Sequence, residues 1–276
     1  MFTLNCKGTL HSFQKPIVMG IINTTDDSFY AASRQPTVDA VLRQTERMLN
    51  EGATIIDIGG QSTQPGSLPL SAEQELKRVI GPIEAVHSQF PEAIISIDSF
   101  YATVAEKAVE AGAAIVNDIA SGNADKNMWD TVAKLGVPYI LMHMQGTPQN
   151  MQNNPQYNDV TTEILDFFIE KTNALCQKNI HDIIIDPGFG FGKSIQHNFT
   201  LLRQLEVFSI LSYPLLLGIS RKSFIYKSLE IPVEDALNGT IALHFAGLMK
   251  GAVILRAHDV KEAVETIRLF EVYQGQ

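Results

Sequence analysis

The chain is poor in cysteine, in positive charge and in long apolar runs. Cys6 and Cys176 are its two cysteines. Neither sits in a CxxC or Cys/His pattern, which argues against a disulfide framework and a thiolate metal site. Lys and Arg number 21 against 30 Asp and Glu, a formal charge of −9. With no basic run, the chain lacks the cationic surface that duplex nucleic acid or an anionic membrane requires. No apolar run approaches the about 18 residues of a membrane span. The N-terminus lacks the charged start and continuous apolar stretch of a signal peptide. The expectation is a cytoplasmic globular protein. Zincin motifs, a serine-nucleophile elbow and Cys/His pairs are missing too. Chemistry without an obvious nucleophile implies that the substrate carries the reacting groups while the protein positions and polarises them. An anionic substrate would need a local cluster of cations in so acidic a chain.

What the 276 residues do contain is a repeated pattern. Eight runs rich in β-branched and aliphatic residues recur: Ile17–Asn23, Thr54–Gly59, Ile94–Ser99, Ile115–Ile119, Tyr139–His143, Ile183–Asp186, Leu215–Ser220 and Ala252–Arg256. Their mean spacing of about 33 residues suits a βα unit rather than a hairpin. Most are apolar throughout, as strands covered on both faces should be. Segments between them, such as Val38-Leu42-Thr45-Leu49, carry helical periodicity. Gly52, Gly112, Gly136 and Gly251 each follow a helical pattern and read as left-handed helix ends. The pattern predicts an α/β fold, a (β/α)8 TIM barrel forming one domain over residues 1–276, in preference to an open doubly wound sheet.

A barrel places its active site at the C-terminal ends of its strands. Five of these ends carry acids or amides: Asn23, Asp57, Asp98, Asn117-Asp118 and Asp186. Any one Asp could simply cap the following helix. Together they make an acceptor-rich wall suited to a heterocycle with several N–H groups. The last two strands end instead in Arg221-Lys222 and Arg256-Ala257-His258, where barrel enzymes often hold phosphate. The arrangement implies a two-ended ligand with a donor-rich ring and a phosphate-bearing arm. Gly188-Phe189-Gly190-Phe191-Gly192-Lys193-Ser194 imitates a phosphate loop, but Pro187 occupies the position of its required first glycine. Its glycines could instead let the loop approach a ligand closely, with Phe189 packing and Phe191 available to stack. His143 reads as a satisfied core histidine, and Trp129 as core.

These blocks resemble those of the dihydropteroate synthases. Met19-Gly-Ile-Ile-Asn-Thr-Thr-Asp-Asp-Ser-Phe29 is similar to the family's first signature, and Asp57-Ile-Gly-Gly-Gln-Ser-Thr-Gln-Pro-Gly66 to its second loop. Ile97-Asp98-Ser99, Val116-Asn117-Asp118, Leu141–Pro148, Asp186–Lys193, Ser220–Ser223 and Arg256–Asp259 follow in order, over about residues 17 to 270. The resemblance implies a folate-synthesis transferase joining p-aminobenzoate to 6-hydroxymethyl-7,8-dihydropterin diphosphate, with sulfonamides competing for the p-aminobenzoate site. It implies pterin contacts from Asp98, Asn117, Met142, Asp186, Gly218 and Lys222. Asn23, Thr63, Arg256 and His258 would hold the diphosphate, with Asn23 as ligand to Mg2+. Phe29, Thr63, Pro65, Phe191, Lys222 and Ser223 would form the p-aminobenzoate site. Asp98, Lys222 and Asn23 would be catalytic, and a homodimer is implied.

Two positions depart from the family pattern. Asp26 stands where the first loop usually has proline, and Gln64 where the second has arginine. Either p-aminobenzoate or sulfonamide affinity is altered, or a neighbour such as Arg34 compensates. Two rival functions share the ring contacts: a barrel transferring methyl from methyltetrahydrofolate to a corrinoid protein, and a non-catalytic pterin-binding paralogue. The methyltransferase would not need the Ser-Arg-Lys and Arg-x-His ends.

Overall fold

The first element is one that the βα spacing does not announce. β1 (Phe2–Cys6) and β2 (Thr9–Phe13) pair antiparallel around Lys7 and Gly8. Both turn residues have positive φ, 53° and 86°, the two-residue turn whose twist matches that of a hairpin. This computed structural model describes residues 1–24, 38–61 and 69–275.

Eight parallel strands follow: β3 (Ile17–Asn23), β4 (Ile55–Gly59), β5 (Ile94–Asp98), β6 (Ile115–Asp118), β7 (Tyr139–Met142), β8 (Ile183–Asp186), β9 (Leu216–Leu217) and β10 (Ile254–Ala257). Their order in the sheet is β8-β7-β6-β5-β4-β3-β10-β9. A parallel bridge between Ile185 and Leu215, with the Ile185 amide donating to the Pro214 carbonyl at 3.0 Å, joins the two outer strands and rounds the sheet into a barrel. The eight expected runs are thus the eight barrel strands. β9 is shorter than the run Leu215–Ser220 because the chain turns back at its end, where the Lys222 amide donates to the Ile219 carbonyl.

Helices α1 (Val38–Glu51), α2 (Ala72–Gln89), α3 (Ala102–Ala111), α4 (Met128–Leu135), α5 (Val160–Gln177), α6 (Ile195–Arg203), α7 (Ser223–Leu229), α8 (Leu237–Met249) and α9 (Val260–Tyr273) surround the strands. None is long and apolar enough to cross a membrane. The expected glycine ends hold: Gly52, Gly112, Gly136 and Gly251 all have positive φ.

Two apolar layers fix the strand faces. Val18, Ile22, Ile56, Ile58, Ile95, Ile97, Val116, Leu141, Ile185 and Leu255 point outward into the core shared with the helices. Ile17, Met19, Ile55, Ile94, Ile115, Ile140, Ile184, Leu216 and Ile254 point inward and form the barrel floor, plugged from below by Leu4 and Cys6 of the hairpin. Side chains alternate along a strand, so this floor determines what stands above it.

Candidate active site

Two residues beyond the floor, the same inward face carries Asp57, Asn117, Met142, Asp186, Gly218 and Arg256; two further on, it carries Asp98 and Asn23. The period-two rule collects the strand-end residues into one mouth. Asp57, Asp98, Asn117 and Asp186 are all buried there.

Arg256 organises one side. Its Nε donates to Asp57 Oδ2 at 2.7 Å and its Nη2 to Asp98 Oδ2 at 2.6 Å. Asn117 Nδ2 donates to the same Asp57 oxygen at 3.0 Å. The guanidinium expected at the diphosphate end therefore also spans the acceptor wall, and Asp57 is the residue that links them. Burial pushes the Asp98 carboxyl up, to about 7. The Arg256 guanidinium opposes that push, while Asp57, Glu75 and Asp118 add to it.

Lys222 organises the other side. Its Nζ donates to the Phe189 carbonyl and lies 4.3 Å from the centre of the Phe191 ring. Burial pulls the ammonium down to about 7, against the attraction of Asp186. Asp186 accepts from the Gly188 amide at 2.8 Å, and burial raises its pKa against Lys222, that amide, Arg256 and Lys193. A Cβ at Gly218 would stand 3.4 Å from Asp186 Oδ2, so the strand itself closes on that carboxylate. Met142 and Phe191 share a small apolar cluster with Ile119 and Met151. His258 is exposed at the rim, its Nδ1 3.1 Å from Ser220 Oγ. Asn23 and Ser223 are half-buried. Thr63, Phe29 and Pro65, with Asp26, Gln64 and Arg34, lie outside the described residues.

The structure corrects two expectations. Asp118 does not join the acceptor wall: it points away from the barrel interior and accepts from Tyr139 Oη and the amides of Ala120 and Gly122 at 2.7–2.8 Å. It acts as a turn-capping carboxylate. Arg221 does not serve the cationic end, because its Nε and Nη2 hold Asp259 at 2.8 and 2.9 Å. Two glycines of the 188–192 loop also let it pack closely against the chain itself. A Cβ at Gly188 would fall 1.8 Å from the His143 carbonyl, and one at Gly192 2.3 Å from that of Gln145. Packing holds for Phe189, which is fully buried against Phe224. His143 is buried as a core histidine.

A cavity of about 330 Å3 lies beside this group rather than within it. It shares Ile119 and Met142 with the site, and its other walls include Phe100, Tyr101, Met144 and Phe167. The acid- and cation-lined mouth is where the chemistry is concentrated.

Residues 19–258 match the model of the pterin binding enzyme family. Dihydropteroate synthase of Escherichia coli K12 is 42% identical over 270 residues, covering 97% of this chain and 95% of that protein. A crystal structure of Yersinia pestis dihydropteroate synthase with a sulfonamide drug complex superposes with a TM-score of 0.93 at 39% identity, covering 99% of both chains. The Xanthomonas albilineans enzyme in complex with 7,8-dihydropteroate gives 0.89 at 35% identity, again covering 99% of both. The chain belongs to the pterin-binding enzyme family, on its dihydropteroate synthase branch.

Proposed function

We propose that this protein is a transferase that condenses 6-hydroxymethyl-7,8-dihydropterin diphosphate with p-aminobenzoate, giving 7,8-dihydropteroate and diphosphate. One observation carries the reading: the barrel mouth sets buried Asp98, Asn117 and Asp186 beside Arg256 and Lys222. Acceptors for the N–H groups of a pterin and cations for a diphosphate thus lie within one cleft.

Asp98, Asn117 and Asp186 accept from the ring, and Met142 and Gly218 shape its slot. As the methylene C–O bond breaks, its electron pair leaves with diphosphate and the methylene becomes cationic. Carboxylate at Asp98 favours that charge. The neutral amine of p-aminobenzoate forms the new C–N bond and then loses a proton. Arg256 uses Nε and Nη2 on Asp57 and Asp98 and has no contact through Nη1 among the described residues, so that edge is available to the diphosphate. Lys222 over Phe191 borders both substrates, with Ser223 on the p-aminobenzoate side.

Among the described residues no group of three or more His, Cys, Asp and Glu could hold a metal ion. Mg2+ typically keeps water and substrate phosphate oxygens as ligands and takes one or two from protein. The Asn23 amide at the end of β3 fits that limited role. When bound, the ion would supply charge neutralisation on the departing diphosphate. The free thiols of Cys6 and Cys176 suit a reducing compartment, and we place the enzyme in the cytoplasm. A second copy docking on the α8–α9 face would make it a homodimer.

Diphosphate release tests the reading. We expect release from the pterin diphosphate that requires both p-aminobenzoate and Mg2+. Pterin binding without release would make the chain a binding paralogue, and methyl transfer from methyltetrahydrofolate to a corrinoid would make it the rival enzyme.

A further inference from the structure

Lys193 is the residue that gives the 188–194 segment its likeness to a phosphate loop, yet its side chain is buried among backbone carbonyls and His143. It is 3% exposed. Its Nζ meets the Gly188 carbonyl at 2.9 Å, the Phe191 carbonyl at 3.0 Å, His143 Nδ1 at 3.0 Å and the His143 carbonyl at 3.4 Å. No carboxylate pairs with it among the described residues. Buried charges are normally paired with an opposite charge, so a lysine surrounded by carbonyls is held for what those carbonyls belong to. Here they belong to the Gly188–Phe191 loop and to the end of β7.

That loop needs an organiser. Gly188, Gly190 and Gly192 have φ of 69°, 80° and 62°. Three such residues within five give the unfolded segment large conformational freedom to lose. The Lys193 ammonium draws the carbonyls at 188 and 191 to one point and ties both to His143. His143 Nδ1 takes part as acceptor towards an ammonium, and burial followed by the Lys193 charge pushes its imidazole well below the ordinary range.

The opposite face of the loop touches the site. The Gly188 amide orients Asp186, the Phe189 carbonyl receives Lys222 Nζ, and the Phe191 ring lies beneath that ammonium. A Cβ at Gly190 would stand 2.9 Å from Lys222 Cδ, so the lysine stem runs along the loop backbone. From this geometry we infer that Lys193, with His143, is a positioning residue of the reaction: by shaping the 188–192 loop it sets the places of Lys222 and Asp186 without touching substrate. The inference rests on the transferase reading above and adds a residue to its machinery.

Lys222 supplies the readout. It is faced by Asp186 from β8, Asp98 from β5 and Arg256 from β10, with Lys193 behind the loop. Burial holds the Lys193 amine itself well below the ordinary lysine range, so its hold on Lys222 runs through the loop. Loosening the loop lets water reach the Lys222 ammonium, which raises the pH at which Lys222 loses its proton. The experiment compares wild type, Lys193→Met and a distant core control, Phe208→Leu, in steady-state kinetics against pH with thermal stability measured in parallel. We expect Lys193→Met to lose at least tenfold in kcat and to move the alkaline limb of the profile upward. Phe208→Leu should lower stability while leaving the limb in place. Should Lys193→Met not fold, Lys193→Gln, whose two N–H donors cannot serve all four partners of the ammonium, is measured instead and should show the same two changes at smaller size. Unchanged kcat and an unmoved limb in the folded variant would make Lys193 a support of the fold alone. Wild-type activity in the same assay keeps that outcome distinct from failure of the transferase reading.

Discussion

Asp98 and Lys222 are groups whose ionisation the site pulls towards neutrality from opposite sides. Burial raises the first to about 7 and lowers the second to about 7. The reaction needs Asp98 ionised and Lys222 protonated. Activity should therefore fall on the acid side as Asp98 gains a proton and on the alkaline side as Lys222 loses one, giving a bell centred near neutrality. Its limbs belong to the coupled group rather than to two isolated residues. Asp98→Asn keeps the shape and one acceptor oxygen but removes the charge and turns the other oxygen into an NH2 donor. Its kcat should drop roughly a hundredfold, the scale of losing one electrostatic contact to a transition state. Pterin diphosphate binding, measured by calorimetry, should change far less, and the acid limb should vanish. Unchanged turnover would take Asp98 out of the mechanism. Sequence alone named these residues as strand ends but could not pair them. That Arg256 bridges Asp57 and Asp98, 199 and 158 positions away, is a consequence of barrel closure. Asp118 shows the opposite limit: it follows Asn117 directly, yet the strand's alternation sends it outward to Tyr139.

Among elements, the eight strands were legible because two-sided burial leaves uninterrupted apolar runs. The hairpin β1–β2 was not, because its two strands are half-exposed and no helix follows them. Its Lys7-Gly8 turn was the signal on offer. α8 hides another property. His244 is 1% exposed, and its Nε2 has no hydrogen-bond partner among the described residues. Burial lowers its imidazole to about 4, with Asp259 pulling weakly back. The unfolded chain protonates this histidine near its unperturbed pKa of about 6.5, so between about 6.5 and 4 the unfolded state holds more protons. Stability from this group is full above that window and declines as pH falls through it. At pH 5 the loss is on the order of 2 kcal/mol. His244→Leu keeps a side chain of similar volume and removes the titration. Its Tm should fall less than that of wild type between pH 7.5 and 5, by a few degrees. Equal falls in the two proteins would show that another group governs acid sensitivity.

At the scale of the whole molecule, the charge of −9 conceals a division of labour. Acids dominate the sum, while Arg256, Lys193 and Lys222 are gathered around one mouth. The outer surface has its own irregularity at α8 and α9. On α8 Thr240, His244, Gly247 and Leu248 are buried, while Ala242 and Met249 face outward and Phe245 is half-buried. A helix on a solvated surface carries charged residues on its outer side, and α8 has none. Leu269, Val272 and Tyr273 of α9 are 66–73% exposed nearby, with Phe245 packed edge-on against Phe270 and Tyr273. This apolar outer face is the one that a second copy would cover. Light scattering should give the mass of two chains for wild type and of one chain for Leu269→Asp/Val272→Asp, whose carboxylates would lie unpaired in the interface. Asp98, Asn117, Asp186, Lys222 and Arg256 all come from one chain, so the monomeric variant should retain kcat within about twofold at temperatures where it stays folded. A wild-type monomer, or a variant still measuring as two chains, would remove the α8–α9 face as the dimer surface. Loss of activity in a folded monomer would show instead that docking on this face holds the α7–α8 side of the barrel, and Lys222 with it, in its working position.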